Sequence, residues 1–138
     1  MRLRRAMRGG GAGMFAIGMM MAMPLAACGT RTERMSAREA SALTGGGDPH
    51  RGRDAMRRYG CNTCHTVRGV AGARSNVGPP LDGIGSRVYI AGVMSNTPAN
   101  MVHWIQDPPA VDSLTAMPNV GVTERDARDI AAYLYSLR

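Results

Sequence analysis

Apolar residues recur at helical spacing in three stretches of this chain. In the last stretch Ala127, Ile130, Ala131, Leu134 and Leu137 lie three or four residues apart, which lines one face of a helix. Thr123 supplies an N-cap oxygen, and Glu124 and Asp126 place acids in the first turn, where the helix dipole favours negative charge. The middle stretch opens on Thr97-Pro98, a cap followed by proline at the first helical position. It runs through Met101, Trp104 and Ile105, and Pro108-Pro109 predicts its end. The first covers about 51–60, with Met56 and Tyr59 turned inward. Residues 66–95 are rich in glycine and predict mostly loop, with one short helix near 84–93. No segment shows a sustained alternation of apolar and polar residues, so the predicted fold class is all-α.

The N-terminus has a different pattern. Arg2, Arg4, Arg5 and Arg8 precede an apolar core from Met14 to Met23. That core has the length of a signal-peptide h-region and is too short to span a bilayer comfortably. Leu25-Ala26-Ala27-Cys28 follows and resembles a bacterial lipobox, in which the cysteine is lipidated and becomes the first mature residue. An ordinary signal peptide or an uncleaved anchor are the alternatives. Three segments are therefore predicted: a lipoprotein signal peptide at 1–27, a lipid-anchored flexible tether at 28–47, and a domain at 48–138. The tether ends in Thr44-Gly45-Gly46-Gly47, and Ser36-Ala37-Arg38-Glu39 within it resembles a capping box. As a flexible chain such a segment would span roughly 25 Å root-mean-square. Gly29, next to Cys28, differs from the aspartate that retains lipoproteins in a Gram-negative inner membrane.

Charge is altered by this processing. The whole chain carries +7. Removing residues 1–27 takes away four arginines and no acids, leaving +3. With that mild balance and 4% aromatic residues, nucleic-acid binding has no support. About 90 residues make only a small core, which a large bound apolar group would extend.

Cys61-Asn62-Thr63-Cys64-His65 reads C-x-x-C-H, the attachment signature of a c-type haem. Two thiols three residues apart lie on one face of a helical turn and can add to the two vinyl groups of one porphyrin. The adjacent His65 ring then reaches the iron. A zinc site would need a second ligand cluster, and Cys28, His50 and His103 show no paired spacing. A thioredoxin-like pair would sit in a βαβ pattern, which is missing. Bacterial c-type haems are attached outside the cytoplasm, which agrees with the export signal. Lipid on Cys28 and haem on Cys61 and Cys64 leave no thiol for a disulfide.

Met35, Met56, Met94, Met101 and Met117 are candidates for a second axial ligand. Met35 lies in the tether, Met56 is close to His65 in sequence, and Met101 falls on an apolar helix face. Met117 is preferred. It lies in a loop between two helices, Pro118 stiffens it, and the 52 residues from His65 are enough to wrap a haem. Met94, His103 or an open site are the alternatives.

These pieces stand in the order found in class I cytochromes c, which the domain resembles over nearly its whole length: Cys61 to His65, then Gly78-Pro79-Pro80-Leu81, Met117-Pro118, and a final helix ending Ala131-Ala132-Tyr133-Leu134. Tyr89-Ile90-Ala91-Gly92 and Asn96 to Ile105 look like the cytochrome c domain fused to subunit II of caa-type haem–copper oxidases, without that subunit's copper domain. The resemblance implies that the Pro79 carbonyl accepts from His65, that Arg87 and Thr115 lie near haem propionates, and that Trp104 packs beside the haem. Ser86 stands where the family commonly has glycine. The implied function is a membrane-tethered monohaem electron carrier rather than an enzyme. It would work outside the cytoplasm with respiratory redox partners, a haem–copper oxidase among them. A haem-based gas sensor, or a fixed haem subunit of a larger oxidoreductase, are the rival readings.

Overall fold

A computed structural model describes residues 35–137. The signal peptide, Cys28 and the first part of the tether lie outside the described residues. The elements run α1 (Ala37–Leu43), α2 (Pro49–Arg58), β1 (Tyr89–Ile90), β2 (Met94–Ser95), α3 (Pro98–Gln106), α4 (Pro108–Val111) and α5 (Glu124–Ser136). Short 3-10 turns lie at Cys61–Thr63 and Ile84–Ser86.

The packing centres on α2 against α5. Asp48 caps α2 by accepting from His50 N at 2.8 Å and Arg51 N at 3.3 Å, and Pro49 opens the first turn. The helix thus starts two residues before the predicted 51. Gly52 lets the two backbones meet: a Cβ there would overlap the Asp129 carbonyl and lie 2.9 Å from Ile130 N. Ala55 and Met56 of α2 are buried with Ala127, Ile130, Ala131 and Leu134 of α5, the face predicted from their spacing. Asp129, on the same crossing, is buried to 1% exposure. Its carboxylate accepts from Arg51 Nε at 2.8 Å, Arg51 Nη2 at 2.9 Å and Asp48 N at 2.7 Å. A buried carboxylate needs such partners, because leaving it unpaired is costly.

The predicted tether requires correction. Ser36 and Glu39 form the capping box, with Ser36 N donating to Glu39 at 2.8 Å and Glu39 N to Ser36 Oγ at 3.2 Å. The helix it starts packs on α5 with Ala40 buried. A Cβ on Gly47 would overlap the Arg128 carbonyl and sit 2.6 Å from Thr44 Oγ1. Residues 36–47 therefore belong to the domain. Their contact uses alanine and glycine, so no apolar stripe signals it in sequence.

Two further departures lie after the glycine-rich loop. The helix predicted near 84–93 is a 3-10 turn followed by a hairpin, pairing Tyr89 with Ser95 and Ile90 with Met94. Its turn bends through Ala91 and Gly92, with φ of 51° and 79°. Strands of two residues are too short to display alternation. The fold is mostly helical, with five α-helices and this small two-stranded sheet among the described residues. Pro108 not only ends α3 but opens α4, since proline suits a first turn as well as it stops a preceding one. No helix among the described residues is long and apolar enough to cross a membrane.

Candidate metal centre

The C-terminus of α2 delivers the chain to the cysteines. Gly60 turns it with φ 76°, a left-handed conformation that favours glycine. Thr63 Oγ1 donates to Gly60 O at 2.7 Å, and His65 N donates to Cys61 O at 3.0 Å. Cys61 and Cys64 are partly exposed and not joined in a disulfide. Burial pushes the Cys61 thiol above its usual range.

The chain after His65 loops out and returns. Thr66 Oγ1 donates to Ser75 O at 2.8 Å, Val67 N to Ala73 O at 3.3 Å, and Leu81 N to Thr66 O at 3.0 Å. Gly78 N then donates to Cys64 O at 2.7 Å. This return sets the Pro79 carbonyl 2.8 Å from His65 Nδ1. A carbonyl can only accept, so Nδ1 carries the proton and Nε2 keeps its lone pair for a metal. Gly78 lies against the imidazole: a Cβ there would sit 2.6 Å from Nδ1 and 3.0 Å from Nε2. Proline supplies the acceptor, and the missing side chain before it makes room for the ring.

The other expected residues fall as follows. Arg87 Nη2 donates to Pro80 O at 2.7 Å, so it braces the loop that holds His65. Trp104 is buried on the inner face of α3. Met117 is half-buried and packs against the core. Its backbone N–H donates to Thr115 Oγ1 at 3.2 Å, which gives Thr115 a part in shaping the methionine loop. Met56 and Met101 are fully buried among core side chains, whereas Met94 and Met35 are half-buried like Met117. His103 is exposed and lines a cavity of about 470 Å³ with Leu43, Val102, Glu124 and Arg128. Of the candidate haem residues, His103, an alternative second ligand, lines that cavity, and Cys61, Cys64, His65, Pro79, Arg87, Trp104, Thr115 and Met117 do not. Two groups result: Cys61, Cys64, His65, Pro79 and Arg87 in one, Thr115 and Met117 in the other.

Several supporting contacts escaped the sequence reading. Asn96 bonds the backbone at Ile84 and Arg87, and Tyr135 bonds Asn96. The Tyr133 hydroxyl donates to Arg68 O, tying α5 to the loop after His65. Tyr59 donates to Asp126 at 2.7 Å and Arg58 pairs with it at 3.1 Å, tying the end of α2 to α5. These are tertiary contacts between distant residues, and local pattern carries no signal for them.

The donor set fits a haem. Among the described residues no group of three or more His, Cys, Asp and Glu side chains is placed to hold a metal ion. A haem would be attached at Cys61 and Cys64 and held by the His65 nitrogen, with the Met117 thioether as a candidate further ligand. His65 is oriented with Nε2 available, and Cys61 and Cys64, which precede it, are not joined in a disulfide.

No family model matches the chain, and no solved structure matches it. Subunit 2 of cytochrome c oxidase from Alkalihalophilus pseudofirmus is 33% identical over 90 residues, covering 64% of this chain. The chain spans about a quarter of that relative's length. The similarity links this chain to an oxidase subunit 2 over part of that protein.

Proposed function

We propose that this chain is a monohaem c-type cytochrome that passes single electrons in a respiratory chain, with a haem–copper oxidase as acceptor. The observation that supports it most is the His65 imidazole, held by the Pro79 carbonyl at 2.8 Å, directly after two cysteines that are not joined in a disulfide. A haem attached to Cys61 and Cys64 would supply one-electron chemistry. His65 would bind the iron through Nε2 and is kept in one tautomer by Pro79. Met117, in a loop that Thr115 shapes, would supply the second ligand. With both in place no iron position would be left for substrate, which supports a carrier rather than an enzyme. A soft thioether favours Fe(II), and the apolar core around it disfavours the extra charge of Fe(III), so a fairly high potential follows.

Export and lipid anchoring through Cys28 belong to the same reading and rest on residues 1–28. The relative's name, an oxidase subunit, favours one variant: a haem-bearing subunit fixed in an oxidase complex. Redox-titrated optical spectroscopy of the native protein tests the main reading. One reversible one-electron transition with His/Met spectral features is expected. Stable co-migration with an oxidase after solubilisation would favour the fixed subunit.

A further inference from the structure

Asn96 sits where three segments meet. Its side-chain amide donates to Ile84 O at 2.7 Å and to Arg87 O at 2.8 Å, and its Oδ1 accepts from the Tyr135 hydroxyl at 2.8 Å. Its backbone N–H donates to Val88 O at 2.9 Å. Only one amide orientation satisfies two carbonyls and a hydroxyl donor together. Asn96 thus clamps the 84–88 segment to α5, through the helix's Tyr135. The near end of that segment is held separately, by Gly83 N to Leu137 O at 2.9 Å, and its far end by Asn96.

That far end carries Arg87, whose guanidinium holds Pro80 O at 2.7 Å. Pro80 is bonded to Pro79, whose carbonyl orients His65 at 2.8 Å. We infer that Asn96 is a positioning residue for the axial histidine, acting with Tyr135 through Arg87 and the Pro79-Pro80 backbone. This rests on the haem reading above. Two prolines with fixed φ make a stiff link, so a displaced Arg87 passes its movement to the Pro79 carbonyl rather than dissipating it.

The direction of the effect follows from ligand chemistry. A strong bond from Nδ1–H to a carbonyl raises the basicity of the imidazole, and a more basic ligand stabilises Fe(III). Loss of Asn96 lengthens that bond, weakens the ligand, and raises the potential. Direct partners of metal-binding histidines alter affinity about 10–100-fold; one step removed, a change of about three- to tenfold is expected. For one electron, tenfold corresponds to 59 mV.

The test uses the holoprotein with Asn96→Ala and Tyr135→Phe. Thr44→Val is the control, because Thr44 Oγ1 donates to Ala40 O at 2.9 Å in α1 and touches no link of the relay. All three variants should lose thermal stability. In the two relay variants the reduced-to-oxidised ratio at a fixed potential should rise about three- to tenfold, and NMR should show faster exchange of the His65 Nδ1 proton. The control should move neither. If Asn96→Ala does not fold, Tyr135→Phe decides. A ratio within about twofold of wild type, with unchanged Nδ1 exchange, overturns the relay while leaving the haem intact. Wild-type protein without a c-type haem spectrum overturns the haem reading, and the relay with it.

Discussion

Gly78→Ala probes the histidine cradle with one methyl group. The added Cβ would lie 2.6 Å from His65 Nδ1 and 3.0 Å from Nε2. Ordinary contact needs about 3.5 Å or more, so the ring or the loop must shift by roughly 1 Å. If the ring moves, the 2.8 Å bond to Pro79 O is lost. If the loop moves, the 2.7 Å bond from Gly78 N to Cys64 O is lost instead. Either loss costs about 1 kcal/mol, and overpacking adds about 1–3 kcal/mol. A destabilisation of about 2–4 kcal/mol is expected, measured by denaturant unfolding followed through Trp104 fluorescence and far-UV dichroism. Gly92→Ala is the comparison: Gly92 has φ 79° and nothing within 4 Å of a new Cβ, so backbone strain alone should cost about 1 kcal/mol. Gly78→Ala proving milder than Gly92→Ala would refute the cradle.

Further outcomes follow from the same contacts. Gly52→Ala should separate α2 from α5, because its Cβ would overlap the Asp129 carbonyl; a loss of about 1–3 kcal/mol in unfolding free energy is expected, read as a lower denaturant midpoint. The Tyr59 hydroxyl, then Thr123 and Arg58, hold the Asp126 carboxyl below its ordinary value. Its stabilisation is therefore present above the unfolded carboxylate pKa of about 3.9 and is lost as pH falls through the lower folded value. Unfolding titrations between pH 7 and pH 2 should show the loss confined to the acid end, and Asp126→Asn should reduce it. Met117→Ala should open an axial position, so that carbon monoxide changes the spectrum of the reduced protein; an unchanged spectrum would move the second ligand to Met94 or another donor.

Much of this site is legible in sequence because its chemistry is local. Cys61, Cys64 and His65 fall within five residues, and Pro79 follows a glycine that the ring requires. The main helices are legible because caps and apolar spacing agree at Thr97 and Thr123. The fold's departures share a physical cause, which is that short-range pattern does not register contacts made by small groups or single hydrogen bonds. Residues 36–47 pack through Ala40 and Gly47, not through a stripe of large side chains. The hairpin at 89–95 is two residues deep. Asn96 reads as a loop residue ahead of a helix cap, yet its amide joins the 84–88 segment to α5. Thr115 Oγ1 accepts from the Met117 backbone, a contact that no local pattern announces.

The central claim is that Cys61 and Cys64 carry one haem whose iron His65 binds. Intact mass spectrometry of protein matured with the c-type attachment machinery, combined with thiol alkylation under denaturing conditions, tests it most directly. One haem retained per chain, with neither Cys61 nor Cys64 alkylated, is the predicted result. Protein that keeps no haem and alkylates at both cysteines would contradict it.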